Sequence, residues 1–146
     1  MTLLLLAAAL AGQVDAAGFH RAVAAQKGRP VLVNLWATWC APCVEEFPML
    51  VSLARSQKDV AVLAVSIDDP SDRRAVESFL AKQDPPFPVY LKGNQPDEAF
   101  IDGVDPEWSG VVPVTLIFDR TGKRVALLQG EHTKAELEKA LAEAKR

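Results

Sequence analysis

The stretch VLVNLWATWCAPC, residues 31–43, leads from a run of mostly apolar residues into the two cysteines of the chain. Residues 31–36 are too few for a helix and suit a buried strand, which Pro30 opens. The segment from Thr38 to Cys43 then forms the turn into a second helix. We therefore predict a strand–turn–helix unit with a C-x-x-C motif at its turn.

Cys40 lies where this strand turns into the helix. The unpaired N–H groups and the positive dipole end of a helix N-terminus favour a thiolate, which is the species that attacks a disulfide. Cys43, three residues on and in the first helical turn, can reach back to resolve the mixed disulfide. Pro42 suits that turn because its missing N–H costs nothing there. Cys40 is thus the predicted nucleophile and Cys43 the resolving thiol.

Other roles for the two cysteines fit the sequence less well. A disulfide that closes so short a loop removes little chain entropy and would stabilise the fold weakly. A zinc site would need further ligands, but there is no second cysteine pair, and His20 and His132 lack ligand spacing. We expect both histidines on the solvated surface. Val44 follows Cys43, which excludes the haem-attachment motif. A redox pair without cofactor or metal is the favoured interpretation.

Length and charge limit the class of protein. The 146 residues suit one domain with a single core. Charged residues make up 24% of the chain, the net charge is -3, and there is no basic stripe. This composition argues against a nucleic-acid partner. We expect a monomer.

The N-terminus bears on the compartment. Residues 3–10 are all leucine or alanine, and Ala9-Leu10-Ala11 is similar to the small-x-small site of a signal peptidase. The stretch is shorter than the ~20 apolar residues of a membrane span, and it lacks a basic n-region. We expect either an export signal or an apolar N-terminal segment over residues 1–11, and one domain over residues 12–146. An export signal would make the protein extracytoplasmic (periplasmic or envelope-associated); without one it would be cytoplasmic.

Apolar periodicity and turn residues predict the other elements. Strands that alternate with helices favour parallel pairing, and a closing hairpin adds an antiparallel edge. The fold class is therefore α/β with a mixed central sheet. The expected elements are a helix from Asp15 to about Gly28, a helix to about Ser56 kinked by Pro48, a strand over 60–67, a helix from Asp69, a strand over 89–91, a loop over 93–110 with one helical turn at 97–101, a hairpin over 114–118 and 124–128, and a last helix capped by Thr133 and Glu136.

Residues 31–43 resemble the thioredoxin superfamily, and the continuation Val44-Glu45-Glu46-Phe47-Pro48 is most similar to its TlpA/ResA-like branch of extracytoplasmic thiol–disulfide reductases. The segment 112–115, Val-Pro-Val-Thr, resembles the cis-proline loop of the family, and residues 121–123 its hairpin turn. The resemblance spans roughly residues 15–145. It implies a thioredoxin-like fold, a mixed sheet flanked by helices, and a helix–strand insertion before the cis-proline loop.

The resemblance also implies where a substrate would bind. The Val112–Pro113 bond would be cis, would face the cysteines, and would offer the backbone of Val112 to an extended substrate. Trp39 would cover the first cysteine and contact substrate, whereas Trp36 suits the core. We therefore expect substrate contacts from Trp39, Pro42, Val112 and Pro113.

A carboxylate near the cysteines is the other implied feature. Asn34 occupies the place of the buried aspartate of thioredoxin, and an amide cannot accept the proton of the resolving thiol. Glu46, three residues beyond Cys43 on one helix face, matches the acidic residue of the branch. Its charge would raise the pKa of the thiols, and it could accept the proton of Cys43. The alternative is that Glu45 and Glu46 only favour the helix N-terminus.

The predicted function is reduction of disulfide-bearing client proteins by dithiol exchange. The Ala-Pro dipeptide of the motif has no cation to over-stabilise the thiolate, which favours a potential nearer roughly −270 mV than roughly −120 mV. An exported protein of this kind would take electrons from a membrane thiol donor. Two alternatives remain open: a binding or chaperone module with a static disulfide, and a thiol peroxidase. Against the peroxidase, Ala37 stands where such enzymes have a threonine.

Overall fold

Within residues 10–146, six strands form one mixed sheet in the order β1-β4-β3-β2-β5-β6. This computed structural model describes residues 10–146, so residues 1–9 of the expected export segment lie outside it. Strands β1 to β4 are parallel to one another, and β5 is antiparallel to both β2 and β6. The predicted mixed sheet is confirmed. The strands are β1 (Gly12–Val14), β2 (Val31–Trp36), β3 (Ala61–Ser66), β4 (Val89–Lys92), β5 (Val114–Phe118) and β6 (Arg124–Gln129).

Five α-helices of the described residues flank the sheet: α1 (Ala16–Ala24), α2 (Ala41–Ser56), α3 (Arg73–Gln83), α4 (Asp97–Val104) and α5 (Lys134–Ala144). Two of the expected caps are confirmed. The N–H of Gly18 donates to the carboxylate of Asp15 at 2.7 Å, and the N–H of Glu136 donates to the hydroxyl of Thr133 at 3.2 Å. Within residues 10–146, none of the helices is both long and apolar enough to cross a membrane.

The core lies on both faces of the sheet because β2 is buried on both. Side chains alternate along a strand, so Leu32 and Trp36 point to one face and Val33 and Leu35 to the other. The first face packs against α2, α3 and α5, and the second against α1 and α4. This arrangement explains why residues 31–36 are nearly continuously apolar.

Two elements depart from the sequence-based expectation. Strand β1 was not predicted, since three residues are too short to show a pattern; its parallel pairing with β4 defines it, with Gln13 opposite Leu91. Helix α4 has eight residues where one turn within a loop was expected. It packs on α1, and Gly103 permits the approach, because a Cβ there would lie 2.6 Å from the Cβ of Ala16. Tertiary packing thus creates both elements.

Candidate active site

The two cysteines lie at the junction of β2 and α2, as predicted, and they form a disulfide. Cys40 is the N-cap of α2, with extended backbone, and its sulfur accepts the N–H of Cys43 at 3.4 Å. Cys40 is 7% exposed, whereas Cys43 is 0% exposed. Of the two cysteines, only Cys40 therefore retains contact with solvent.

The loop before β5 faces this disulfide. The Val112–Pro113 peptide bond is cis, as the resemblance implied. The carbonyl oxygen of Val112 lies 3.7 Å from the Sγ of Cys40. The N–H of Val112 has no hydrogen-bond acceptor within residues 10–146. The backbone of Val112 is thus next to the sulfur and is not engaged in the sheet.

Hydrogen bonds from both sides hold this loop in place. The indole N–H of Trp108 and the side-chain amide of Gln129 both donate to the carbonyl of Val111, each at 3.0 Å. The carbonyl of Pro113 accepts the N–H of Gly130 at 2.9 Å. Because the flanking carbonyls are anchored, the Val112 carbonyl keeps its position at the disulfide.

Glu46 is a buried carboxyl on the same helix as the cysteines. It is 2% exposed, and its two oxygens accept the Nδ2 of Asn34 at 3.0 Å and the N–H of His132 at 2.8 Å. Burial raises the pKa of Glu46 above its usual value, and the hydrogen bonds from His132 and Asn34 oppose that rise without cancelling it. A carboxyl with a raised pKa keeps its proton to a higher pH than a solvated one does.

His132 differs from the expectation. We expected this residue on the solvated surface, but its ring is half-buried, with Nδ1 2.8 Å from the carbonyl oxygen of Gly130. The backbone N–H of His132 donates to the carboxylate of Glu46. The partners Glu46 and His132 are 86 positions apart, so no local sequence pattern could indicate this contact. His20 is exposed, as expected.

The side chains around Cys40 divide into an exposed and a buried set. Trp39 is 66% exposed beside Cys40, and Pro42 is exposed in the first turn of α2. Trp36 is fully buried, and its ring packs 5.0 Å from that of Phe47, centroid to centroid, so it is a core residue as expected. Trp39 and Pro42 therefore belong to the exposed surface beside Cys40.

A buried hydrogen-bond network beside the turn between β2 and α2 is not among the features that the sequence predicts. The carboxylate of Asp68, 1% exposed, accepts the N–H of Thr38 at 3.0 Å and the hydroxyls of Thr38 and Ser66 at 2.5 Å each. It thus joins the end of β3 to the turn that precedes Cys40. The available signal was its position just after a buried parallel strand, at the sheet edge where functional groups gather.

The described residues offer no metal site. No group of three histidine, cysteine or acidic side chains within residues 10–146 is arranged to hold a metal ion.

Comparison with known proteins agrees with this geometry. Residues 15–142 match the Redoxin family. The chain is 34% identical over 116 residues to the thiol-disulfide oxidoreductase ResA of Bacillus thuringiensis subsp. konkukian (strain 97-27), a match that covers 79% of this chain and 63% of ResA. The chain thus spans less than two thirds of the length of that relative.

Solved structures share the fold. A thioredoxin-related protein from Neisseria meningitidis serogroup B superposes with a TM-score of 0.66 at 28% identity, over 81% of this chain and 86% of that one. A thiol:disulfide interchange protein from Chlorobium tepidum TLS superposes with a TM-score of 0.70 at 23% identity, over 83% of each chain. These similarities confirm the thioredoxin-like fold expected from the cysteine motif and the proline loop.

Proposed function

Because the chain belongs to the Redoxin family, we propose that it is a thiol–disulfide oxidoreductase that reduces disulfide-bearing client proteins by dithiol exchange. The observation that carries this proposal is the Cys40–Cys43 disulfide at the N-terminus of α2, opposite the Val112 carbonyl. The similarity to ResA over 79% of the chain supports it.

The exchange proceeds in two steps. The thiolate of Cys40 attacks a client disulfide, which forms a mixed disulfide and releases one client thiolate. The thiolate of Cys43 then attacks the sulfur of Cys40, which forms the intramolecular disulfide and releases the second client thiolate. Two electrons pass from the protein dithiol to the client. The burial of Cys43 and the partial exposure of Cys40 support this order of attack.

Glu46 is proposed as the group that accepts the proton of Cys43 during the second step. Burial raises its pKa, which favours its accepting a proton, and its two hydrogen bonds fix the carboxyl in place. Its negative charge, when present, also disfavours the thiolate of Cys40 and thereby raises the pKa of that thiol.

The client would bind as an extended segment across the loop. The free N–H of Val112 and its carbonyl would pair with the client backbone, while Trp39, Pro42 and Pro113 would contact its side chains. We propose that residues 1–11 are an export signal or an apolar N-terminal segment. An exported protein would act as a monomer outside the cytoplasm and take electrons from a membrane thiol donor; without export it would act in the cytoplasm.

An insulin reduction assay with a dithiol as electron source tests the activity. The wild-type protein should accelerate precipitation of the insulin B chain, Cys40→Ser should abolish this acceleration, and Ala41→Ser, which keeps both thiols, should retain it. We expect a reduction potential nearer roughly −270 mV than roughly −120 mV.

Other outcomes would point to the alternative functions. No acceleration, together with a disulfide that resists dithiol, would indicate a binding module with a static disulfide. Rapid consumption of peroxide at Cys40 would instead indicate a thiol peroxidase.

A further inference from the structure

A pocket of about 240 Å³ opens beside the candidate active site. Its apolar walls come from the residue before the first cysteine, from the end of β3 and from the insertion around α4: Trp39, Ile67, Phe100, Ile101 and Trp108. Phe100 and Trp108 belong to the core on the α1 and α4 face of the sheet. Glu46 belongs to the opposite face, so the pocket is separate from the proton-transfer group.

Two connections join the pocket to the sulfur of Cys40. Trp39 lines the pocket and directly precedes Cys40 in the chain. On the other side, the indole N–H of Trp108 donates to the carbonyl of Val111, next to the Val112 carbonyl that lies 3.7 Å from the Sγ of Cys40. The pocket and the Cys40 sulfur therefore share Trp39 and the Val111–Val112 segment as neighbours.

The size of the pocket favours a single side chain. Small-molecule sites usually enclose about 300–1,000 Å³, more than this pocket provides. In the wall of the pocket, Phe100 and Trp108 pack edge to face with their ring centroids 6.3 Å apart, which is a favourable geometry for aromatic pairs. Trp39 adds an exposed apolar surface, 66% of it open to solvent, that an incoming ring could cover.

The two charged side chains that line the pocket, Lys92 and Asp97, form an ion pair with each other. Lys92 is 7% exposed. Its Nζ lies 2.8 Å from the carboxylate of Asp97 and donates a hydrogen bond to the carbonyl oxygen of Gln95 at 2.9 Å. The ammonium and the carboxylate neutralise each other. The pocket therefore presents no uncompensated charge to a charged side chain.

We propose that this pocket binds an aromatic side chain of the client polypeptide, close in sequence to the client cysteine that Cys40 attacks. The inference rests on the proposed function and names its substrate class: disulfides flanked by an aromatic residue. In an extended client, side chains two positions apart lie on one face, roughly 7 Å from each other. An aromatic residue within two positions of the cysteine can therefore occupy the pocket while the sulfur faces Cys40.

Single-cysteine peptides in mixed disulfide with 2-nitro-5-thiobenzoate test the proposal. The reduced protein converts each peptide disulfide to the peptide thiol and the coloured thiol, and itself becomes the Cys40–Cys43 disulfide. Phe, Leu, Lys, Asp and Ala are placed in turn at the two positions on either side of the peptide cysteine. At one or more positions, Phe should give a second-order rate constant about tenfold above Ala, as expected for burial of one apolar side chain.

Ile101→Trp should fill the pocket from its half-buried position on α4. The preference for Phe over Ala should then fall to about one. Asp102→Trp, exposed on the same helix and outside the pocket, is the matched control and should keep the preference. Asp102→Trp should also reduce 2-hydroxyethyl disulfide at the wild-type rate, and the peptide rate constants of Ile101→Trp are divided by its own rate constant with this small disulfide. If Ile101→Trp does not fold, Ile101→Glu replaces it and should shift the preference from Phe to Lys.

The possible outcomes separate the pocket from the activity. Equal rates for Phe and Ala peptides, with normal reduction of 2-hydroxyethyl disulfide, would refute the pocket and leave the proposed function intact. A preference of the wild-type protein for Lys or Asp would refute the aromatic occupant. Failure to reduce any disulfide would refute the proposed function, and the pocket inference with it.

Discussion

At the scale of single residues, Glu45 and Glu46 stand side by side in the sequence but differ in environment. Glu45 is exposed on α2, whereas Glu46 is buried against Asn34 and the backbone of His132. Neither glutamate lies in the first turn of α2, so the structure does not support the expected alternative in which both only favour the helix N-terminus. The pair therefore provides a matched comparison of a buried and a solvated carboxylate one position apart.

Glu46→Gln should lower the apparent pKa of the Cys40 thiol and slow the resolving step. The substitution removes a negative charge that disfavours the thiolate, and it removes the acceptor for the proton of Cys43. Titration of the thiolate by ultraviolet absorbance measures the first effect, and release of client from the mixed disulfide measures the second. Glu45→Gln is the control. Equal titrations and equal release rates for the two variants would rule out the proposed role of Glu46.

Cys43→Ser should accumulate a mixed disulfide between Cys40 and the client. Without the resolving thiol the first exchange can occur but the second cannot. Mass spectrometry of the trapped species identifies the linked cysteine. Cys40→Ser, by contrast, should trap almost nothing, because Cys43 is fully buried. Preferential trapping through Cys43 would reverse the assigned order.

At the scale of elements, the Asp68 carboxylate connects β3 to the turn between β2 and α2. Asp68→Ala should lower the free energy of unfolding by about 3 kcal/mol, because the Thr38 N–H and two hydroxyls lose a buried acceptor. Urea unfolding measures the change. Asp69→Ala, at an exposed position that caps only the following 3-10 turn, should cause a much smaller loss. Equal losses would mean that the buried network does not stabilise the turn.

At the scale of the whole molecule, Glu46 should make stability fall as pH rises above about its usual pKa of 4.5. Its pKa is raised on folding, so above pH 4.5 the folded protein binds more protons than the unfolded chain. The contribution of the protonated carboxyl is then present at low pH and lost as pH rises through the raised pKa.

Unfolding by urea from pH 4 to pH 8 tests this dependence. Glu46→Gln should be less stable overall, since an amide cannot accept both hydrogen bonds, but its deficit should shrink as pH rises. Hydrogen bonds from Lys145 and Thr121 lower the pKa values of Asp59 and Asp119 below the usual value of 3.8. These two carboxylates therefore change the free energy of unfolding only below about pH 3.8, where they make it fall as pH falls. A deficit that stays constant or grows above pH 4.5 would contradict the prediction.

The sequence alone determined the strand–turn–helix unit, the position of the two cysteines at its turn and most helix starts. These features depend on neighbours within a few positions. A helix N-terminus activates the residue at its cap, and Asp15 and Thr133 bind N–H groups three residues on. Such local interactions can be recognised from the spacing of residue types along the chain. The cis-proline loop was predicted from the resemblance to the thioredoxin superfamily instead.

Only the tertiary structure decided which groups surround the sulfurs and how the insertion folds. Strand β1 exists through its pairing with β4, and α4 through its packing on α1. The contacts of Glu46 with His132 and of Asp68 with Thr38 join positions 86 and 30 residues apart. The aromatic pocket likewise unites Trp39 with Trp108. Burial and long-range hydrogen bonding arise only when distant segments meet, and no spacing along the chain records which segments those are.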